Sequence, residues 1–143
     1  MKWFFLVLGP ILLWLHPKQT PAYTRLSIQV QEVKEPLGVL RIALYDREAH
    51  FLDFKSVFAS KVVPATKGTT TVILDSLPAG TYAIALYQDQ NNNGQMDKNW
   101  IGIPTEPLGF SKAKLRTFGP PKFKDCMFVL DGDMRIDIPL ENN

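Results

Sequence analysis

Apolar residues recur at every second position along most of this chain, and that period predicts strands rather than helices. In RLSIQVQEV, Leu26, Ile28 and Val30 alternate with Ser27, Gln29 and Gln31. GVLRIALYD puts Leu40, Ile42 and Leu44 on one face and Arg41, Ala43 and Tyr45 on the other. TYAIALYQD likewise sets Tyr82, Ile84 and Leu86 against Ala83, Ala85 and Tyr87. TTTVILDSL is rich in β-branched residues, which suit a pleated surface, and runs into the turn LPAG. There Gly80 can take a positive φ at the corner, and Tyr82 reads equally as a corner tyrosine or as plain core. Near the end DCMFVL and MRIDIPL are separated by DGD, which predicts a tight hairpin with Met134, Ile136, Ile138 and Leu140 facing inward. Two regions are ambiguous. REAHFLDFKSVF spaces Phe51, Phe54 and Phe58 as a short helix would, and SVFASKVVPA after it reads as an edge strand stopped by Pro64. SKAKLRTFGPPKFKD holds one strand-like piece and then a rigid Pro-Pro turn. Short strands with turn signals about every 8–12 residues predict an all-β fold. The expectation is a single antiparallel β-sandwich of about seven strands, immunoglobulin-like or transthyretin-like.

Residues 1–22 break this pattern. Lys2 precedes a thirteen-residue apolar run, Trp3 to Leu15, followed by a polar stretch with small residues. As a helix that run spans about 20 Å, short of the ~30 Å hydrocarbon core, so a secretory signal peptide cut after Ala22 fits better than an anchor. The expected organisation is a signal peptide over 1–22 and a β-sandwich domain over 23–143, placed in the periplasm or secreted. The formal charge of +2 comes from Lys2 and Lys18: removing them from 16 basic residues leaves 14, against 14 acidic. That balance gives no electrostatic case for nucleic acid or an anionic membrane as partner. The lone cysteine, Cys126 in CMFVL, has no partner for an internal disulfide and reads as a small buried hydrophobe.

The stretch DQNNNGQMDKNWIGIPTE, residues 89–106, carries the densest chemistry. Counting from Asp89, it sets Asp89, Asn91, Asn93, Gly94, the Gln95 carbonyl and Asp97 at places one, three, five, six, seven and nine of a calcium loop. Alternate side chains of a tightly curled loop converge on one point, as a hard cation taking about six to eight oxygens requires. The twelfth place, where a bidentate Glu belongs, holds Trp100, and Glu106 is the remote carboxylate available instead. With so few charged ligands the affinity expected is weak, roughly 10⁻⁴–10⁻³ M. Asn, Asp and Gly are also ordinary turn residues, so a metal-free polar loop explains the same letters. Beyond it, Trp100, Ile101, Ile103, Leu108 and Phe110 look too apolar for solvent, and they are expected to fold back as a plug on the sandwich with Trp100 mostly buried. A serine triad or zinc site lacks histidines, since only His16 and His50 exist, and no nucleophile elbow or phosphate loop is present. The function expected is therefore a monomeric, non-enzymatic binding or scaffolding module for an envelope partner or ligand. Alternatives are a small envelope hydrolase using the carboxylates around the loop, or a carrier of a small ligand.

The ordered motifs AGTYA, DxNxNGxxDxNWxGIPxE, GFS and FGPP resemble the bacterial extracytoplasmic family called domain of unknown function twenty-one forty-one. The likeness runs from about Leu26 to Leu140. It implies a secreted or periplasmic β-sandwich without an assigned activity, and it brings no catalytic residues. The matching positions run from Asp89 through Asn99, Trp100 and Glu106 to Phe110. One departure concerns the residue before the first Asp, where the family often has His and this chain has Gln88.

Overall fold

The computed structural model describes residues 23–142; the expected signal peptide and its cut after Ala22 lie outside them. Eight strands follow in chain order: β1 (Tyr23–Val33), β2 (Val39–Tyr45), β3 (Ala59–Pro64), β4 (Gly68–Pro78), β5 (Gly80–Asp89), β6 (Leu108–Phe110), β7 (Phe128–Leu130) and β8 (Met134–Pro139). One helical turn, α1 (Phe123–Cys126), precedes β7. The strands form two sheets, β4-β1-β8 and β3-β2-β5-β6, with β7 also paired to β5. All pairings are antiparallel except β1 with β8, which run parallel from Leu26↔Met134 to Gln31↔Pro139.

The expected alternation builds the core between the sheets. Leu26, Ile28 and Val30 of β1, with Val72, Leu74, Ile136 and Ile138, meet Leu40, Ile42, Leu44, Ile84 and Leu86 from the other sheet. Each such side chain, fully buried, contributes about 1.5–3 kcal/mol relative to exposure. The opposite face of β2 and β5 is also buried, beneath Phe51, Leu52, Met96, Leu115 and Phe123. Small residues at Ala43, Ala83 and Ala85 let that second layer sit close. Cys126 is fully enclosed in it, and burial, with a smaller push from Asp125, raises its thiol to about 11.

Several local expectations are corrected. β7 and β8 do not form a hairpin: β7 joins β5 while β8 crosses to β1, so Asp131–Asp133 bridge two sheets. Gly80 is not left-handed; the bend is made earlier, where Ser76 (φ 59°) is the extra residue of a bulge in β4 opposite Thr24 and Leu26. No α-helix forms over Phe51–Phe58, only a 3₁₀ turn at Glu48–His50, whereas the edge strand ending at Pro64 is present as β3. Tyr82 does behave as a corner tyrosine, its hydroxyl donating to the Pro78 carbonyl at 2.9 Å.

Candidate functional site

β5 delivers Asp89 to the end of the sheet on the outer face, opposite Val39 and diagonal to Arg41 of β2. The Asp89 carboxylate is fully buried, and Arg41 Nε donates to it at 2.7 Å. The N–H groups of Asn93 and Gly94 donate to the same carboxylate at 3.0 and 2.9 Å. Desolvation is the largest single influence on Asp89 and pushes it up, but Arg41 and the two N–H groups together hold it below its ordinary value. The backbone is equally tight here. A Cβ on Gly38 (φ +63°) would stand 1.9 Å from the Asp89 carbonyl oxygen, so only glycine lets β2 begin where it does.

Glu106, also buried, closes the same loop from the far side. Its two oxygens accept the N–H of Gln90 at 2.9 Å and of Asp97 at 3.1 Å. Asn91 and Asn93 each accept a backbone N–H through Oδ1, from Asn93 and Gln95 respectively, and turn their amide nitrogens toward Asp97 at 2.6 and 2.8 Å. Five of the six expected ligand side chains, Asp89, Asn91, Asn93, Asp97 and Glu106, are thus brought into one hydrogen-bonded loop, with Gln95 joining through its N–H. Among the described residues no group of three or more His, Cys, Asp or Glu side chains is placed to hold a metal ion. In this arrangement Arg41 faces Asp89, and the amide nitrogens of Asn91 and Asn93, rather than their oxygens, face Asp97. Gln88 is buried and donates through Nε2 to the Glu35 and Leu37 carbonyls, both at 2.8 Å. It fastens the turn before β2 to β5.

The apolar half of the stretch departs from expectation. Leu108 and Phe110 are buried in β6, but Trp100 is 95% exposed, Ile101 57% and Ile103 44%. The reason is a small finger. Lys98 bridges Pro104, Asn99 Oδ1 accepts the N–H groups of Ile101 and Ile103, and Trp100 is carried out at the tip. A second finger repeats the device: Arg116 bridges Gly119, and Phe118 at its tip is 96% exposed. Between the two fingers, over the outer face of β5 and β6, lies an apolar cleft of about 750 Å³. Tyr87, Met96, Leu108, Phe110 and Leu115 line it, together with Phe54 and the apolar residues of the first finger.

A family model described as an uncharacterised protein conserved in bacteria, DUF2141, matches residues 28–137. The chain belongs to this family. The match takes in the polar loop, both fingers and the cleft between them. No curated protein and no solved structure matches the chain. In this DUF2141 protein His50 lies in the 3₁₀ turn, where it adds a small pull to Asp53 behind the larger effects of Ser56 and Lys55. Sequence reading missed the second finger and the charge around it. Lys112, Lys114, Arg116, Lys122 and Lys124 fall within thirteen residues that contain no acid, a run hidden by the balanced total.

Proposed function

We propose that this DUF2141 protein is a non-catalytic binding module, exported from the cytoplasm, whose cleft between the two fingers receives an apolar group. One observation carries the reading: a cleft of about 750 Å³, within the roughly 300–1,000 Å³ of small-molecule sites, opens between fingers tipped by bare aromatic rings. Isolated exposed apolar residues are ordinary, but a contiguous apolar hollow between two such fingers is what recognition surfaces present. The carboxylates a hydrolase would draw on, Asp97 and Glu106, instead accept the Asn91 and Asn93 amides and the N–H groups of Gln90 and Asp97, and so hold the loop. The test is uptake of the neutral dye N-phenyl-1-naphthylamine, read as fluorescence enhancement. Wild type should bind it saturably, and Ile101→Asp/Ile103→Asp, both at solvent-facing positions, should lose most of the enhancement while melting normally. Equal dye uptake by the two proteins would sink the reading.

For the polar loop we propose that Arg41 supplies the positive charge that a metal supplies in calcium loops. The spacing of Asp89, Asn91, Asn93 and Asp97 keeps weak Ca²⁺ binding as the second reading. A site with a dissociation constant near 10⁻⁴ M gains about 1–2 kcal/mol at millimolar Ca²⁺. The expected outcome is one melting temperature in calcium and in chelator; a rise of several degrees in calcium would favour the metal.

A further inference from the structure

The cleft has an electrical asymmetry that its apolar lining obscures. Among the residues that line it there is no Asp or Glu, and its two charged residues, Lys98 and Arg116, are both cationic. Each stands at the base of one finger, Lys98 where it bridges Pro104 and Arg116 where it bridges Gly119. Lys98 forms no ion pair among the described residues, and Arg116 comes no nearer to a carboxylate than 4.0 Å, at Asp125. The hollow between Glu32, Lys34, Lys114 and Glu141 mixes both signs, whereas the smaller one that shares Lys98 with the cleft, beside Arg41 and Lys61, is also without an acid.

We infer that the cleft holds a single amphiphilic molecule, its apolar tail between the fingers and an anionic head group at Lys98 and Arg116. The inference deepens the binding-module reading and depends on it. Long cationic side chains suit such a rim, because their methylene stems can lie along the tail while the charged ends stay in water beside the head. A planar guanidinium and a mobile ammonium both match a carboxylate, sulfonate or phosphate oxygen. Lys114, Lys122 and Lys124, which share the neighbouring hollow with Arg116 and one acid, Asp125, leave a net positive charge on that side that favours anions over cationic analogues. A neutral detergent fills the tail site without engaging the rim. The site is concave and bounded on two sides, which fits one molecule better than a flat bilayer surface.

The experiment compares three probes with the same chain and different heads, dodecanoate, dodecyl maltoside and dodecyltrimethylammonium. All are used below their micellar concentrations against the full chain. Calorimetry should give one saturable site with dodecanoate bound roughly tenfold or more tighter than the cationic probe, about 1.4 kcal/mol. Lys98→Gln/Arg116→Gln should abolish that preference and leave uptake of N-phenyl-1-naphthylamine unchanged, whereas Lys98→Arg/Arg116→Lys should retain it. Comparing variants within the full chain cancels any contribution from residues 1–22. Equal affinity for the three heads, with dye uptake intact, overturns the anionic assignment and leaves the binding module standing. No binding of dye or of any probe overturns both. Binding to phosphatidylglycerol vesicles without uptake of monomeric dodecanoate also overturns the inference, in favour of a membrane-docking face.

Discussion

Asp89 is the residue on which the polar loop turns, because a buried carboxylate survives only with a partner charge and filled lone pairs. Arg41 and the N–H groups of Asn93 and Gly94 provide both. Removing one partner of a buried pair costs about 3–5 kcal/mol, and Arg41, 32% exposed, recovers some of that through water. Arg41→Gln is therefore expected to cost about 1–3 kcal/mol in a urea melt. The sign of the pH effect follows from the lowered Asp89 value. Its stabilisation is complete above the unfolded-state pKa near 3.9 and is lost as pH falls through the lower folded-state value. The melting temperature should hold from neutrality to about pH 5 and then drop below about pH 4, with a shallower drop in Asp89→Asn. Parallel curves for the two proteins would assign acid sensitivity to other carboxylates. Tyr45 presents the opposite case. Its hydroxyl is enclosed without a hydrogen-bond partner among the described residues, and burial, with a smaller effect from Asp53, pushes it up to about 12. Tyr45→Phe keeps the edge-on contact with Phe51 and removes the unsatisfied oxygen, so it should gain about 1 kcal/mol by the same melt. A loss of that size would mean the hydroxyl is bonded in solution.

At the scale of elements, the fingers separate what a sequence discloses from what it withholds. Period-two alternation identified β1, β2, β5 and β8 with their inward faces, because strand geometry forces successive side chains to opposite sides. It did not reveal that β7 and β8 part company, since three residues of DGD serve a crossing between sheets as well as a hairpin. Nor did it place Trp100. Apolar content says that a ring prefers burial, but Asn99 and Gly102 (φ +85°) wind the turn so that the ring faces water. Those two residues were the available signal. The calcium-like letters have two readings for a related reason: a side-chain oxygen placed to meet a cation is also placed to meet a backbone N–H. Trp100→Ala should accordingly cost under about 0.5 kcal/mol. Asn99→Ala, which strips the acceptor from two finger N–H groups, should cost about 0.5–1.5 kcal/mol and speed amide exchange at Ile101 and Ile103. A large loss from Trp100→Ala with slow exchange at both amides would place the ring inside.

For the whole molecule, balanced charge concealed a local excess: the run from Lys112 to Lys124 collects five cations with no acid inside it, and Arg116 of that run lines the cleft. Totals constrain solubility, whereas binding responds to where the charge sits. The sandwich itself was legible because alternating short strands with frequent turns must bury one face against a second sheet, whereas the outer layer over β2 and β5 was not read. One pairing in that sandwich has a temporal meaning. β1 lies between β4 and β8, so the first strand of the domain is completed by the last, with Leu26 beside Met134. Until the chain is nearly finished, β1 keeps a bare edge on the side that β8 will cover. Folding therefore waits for a distant closure, and such high contact order slows all-β domains to milliseconds or seconds. A chain ending at Asp133 should remain a loosely packed, aggregation-prone species, and adding a peptide of residues 134–142 should restore sharp melting by strand addition. If the truncated chain melts cooperatively alone, β8 is dispensable. Under the proposal of export that delay has a use: a chain that cannot finish folding until its C-terminal strand is available stays threadable during passage across a membrane.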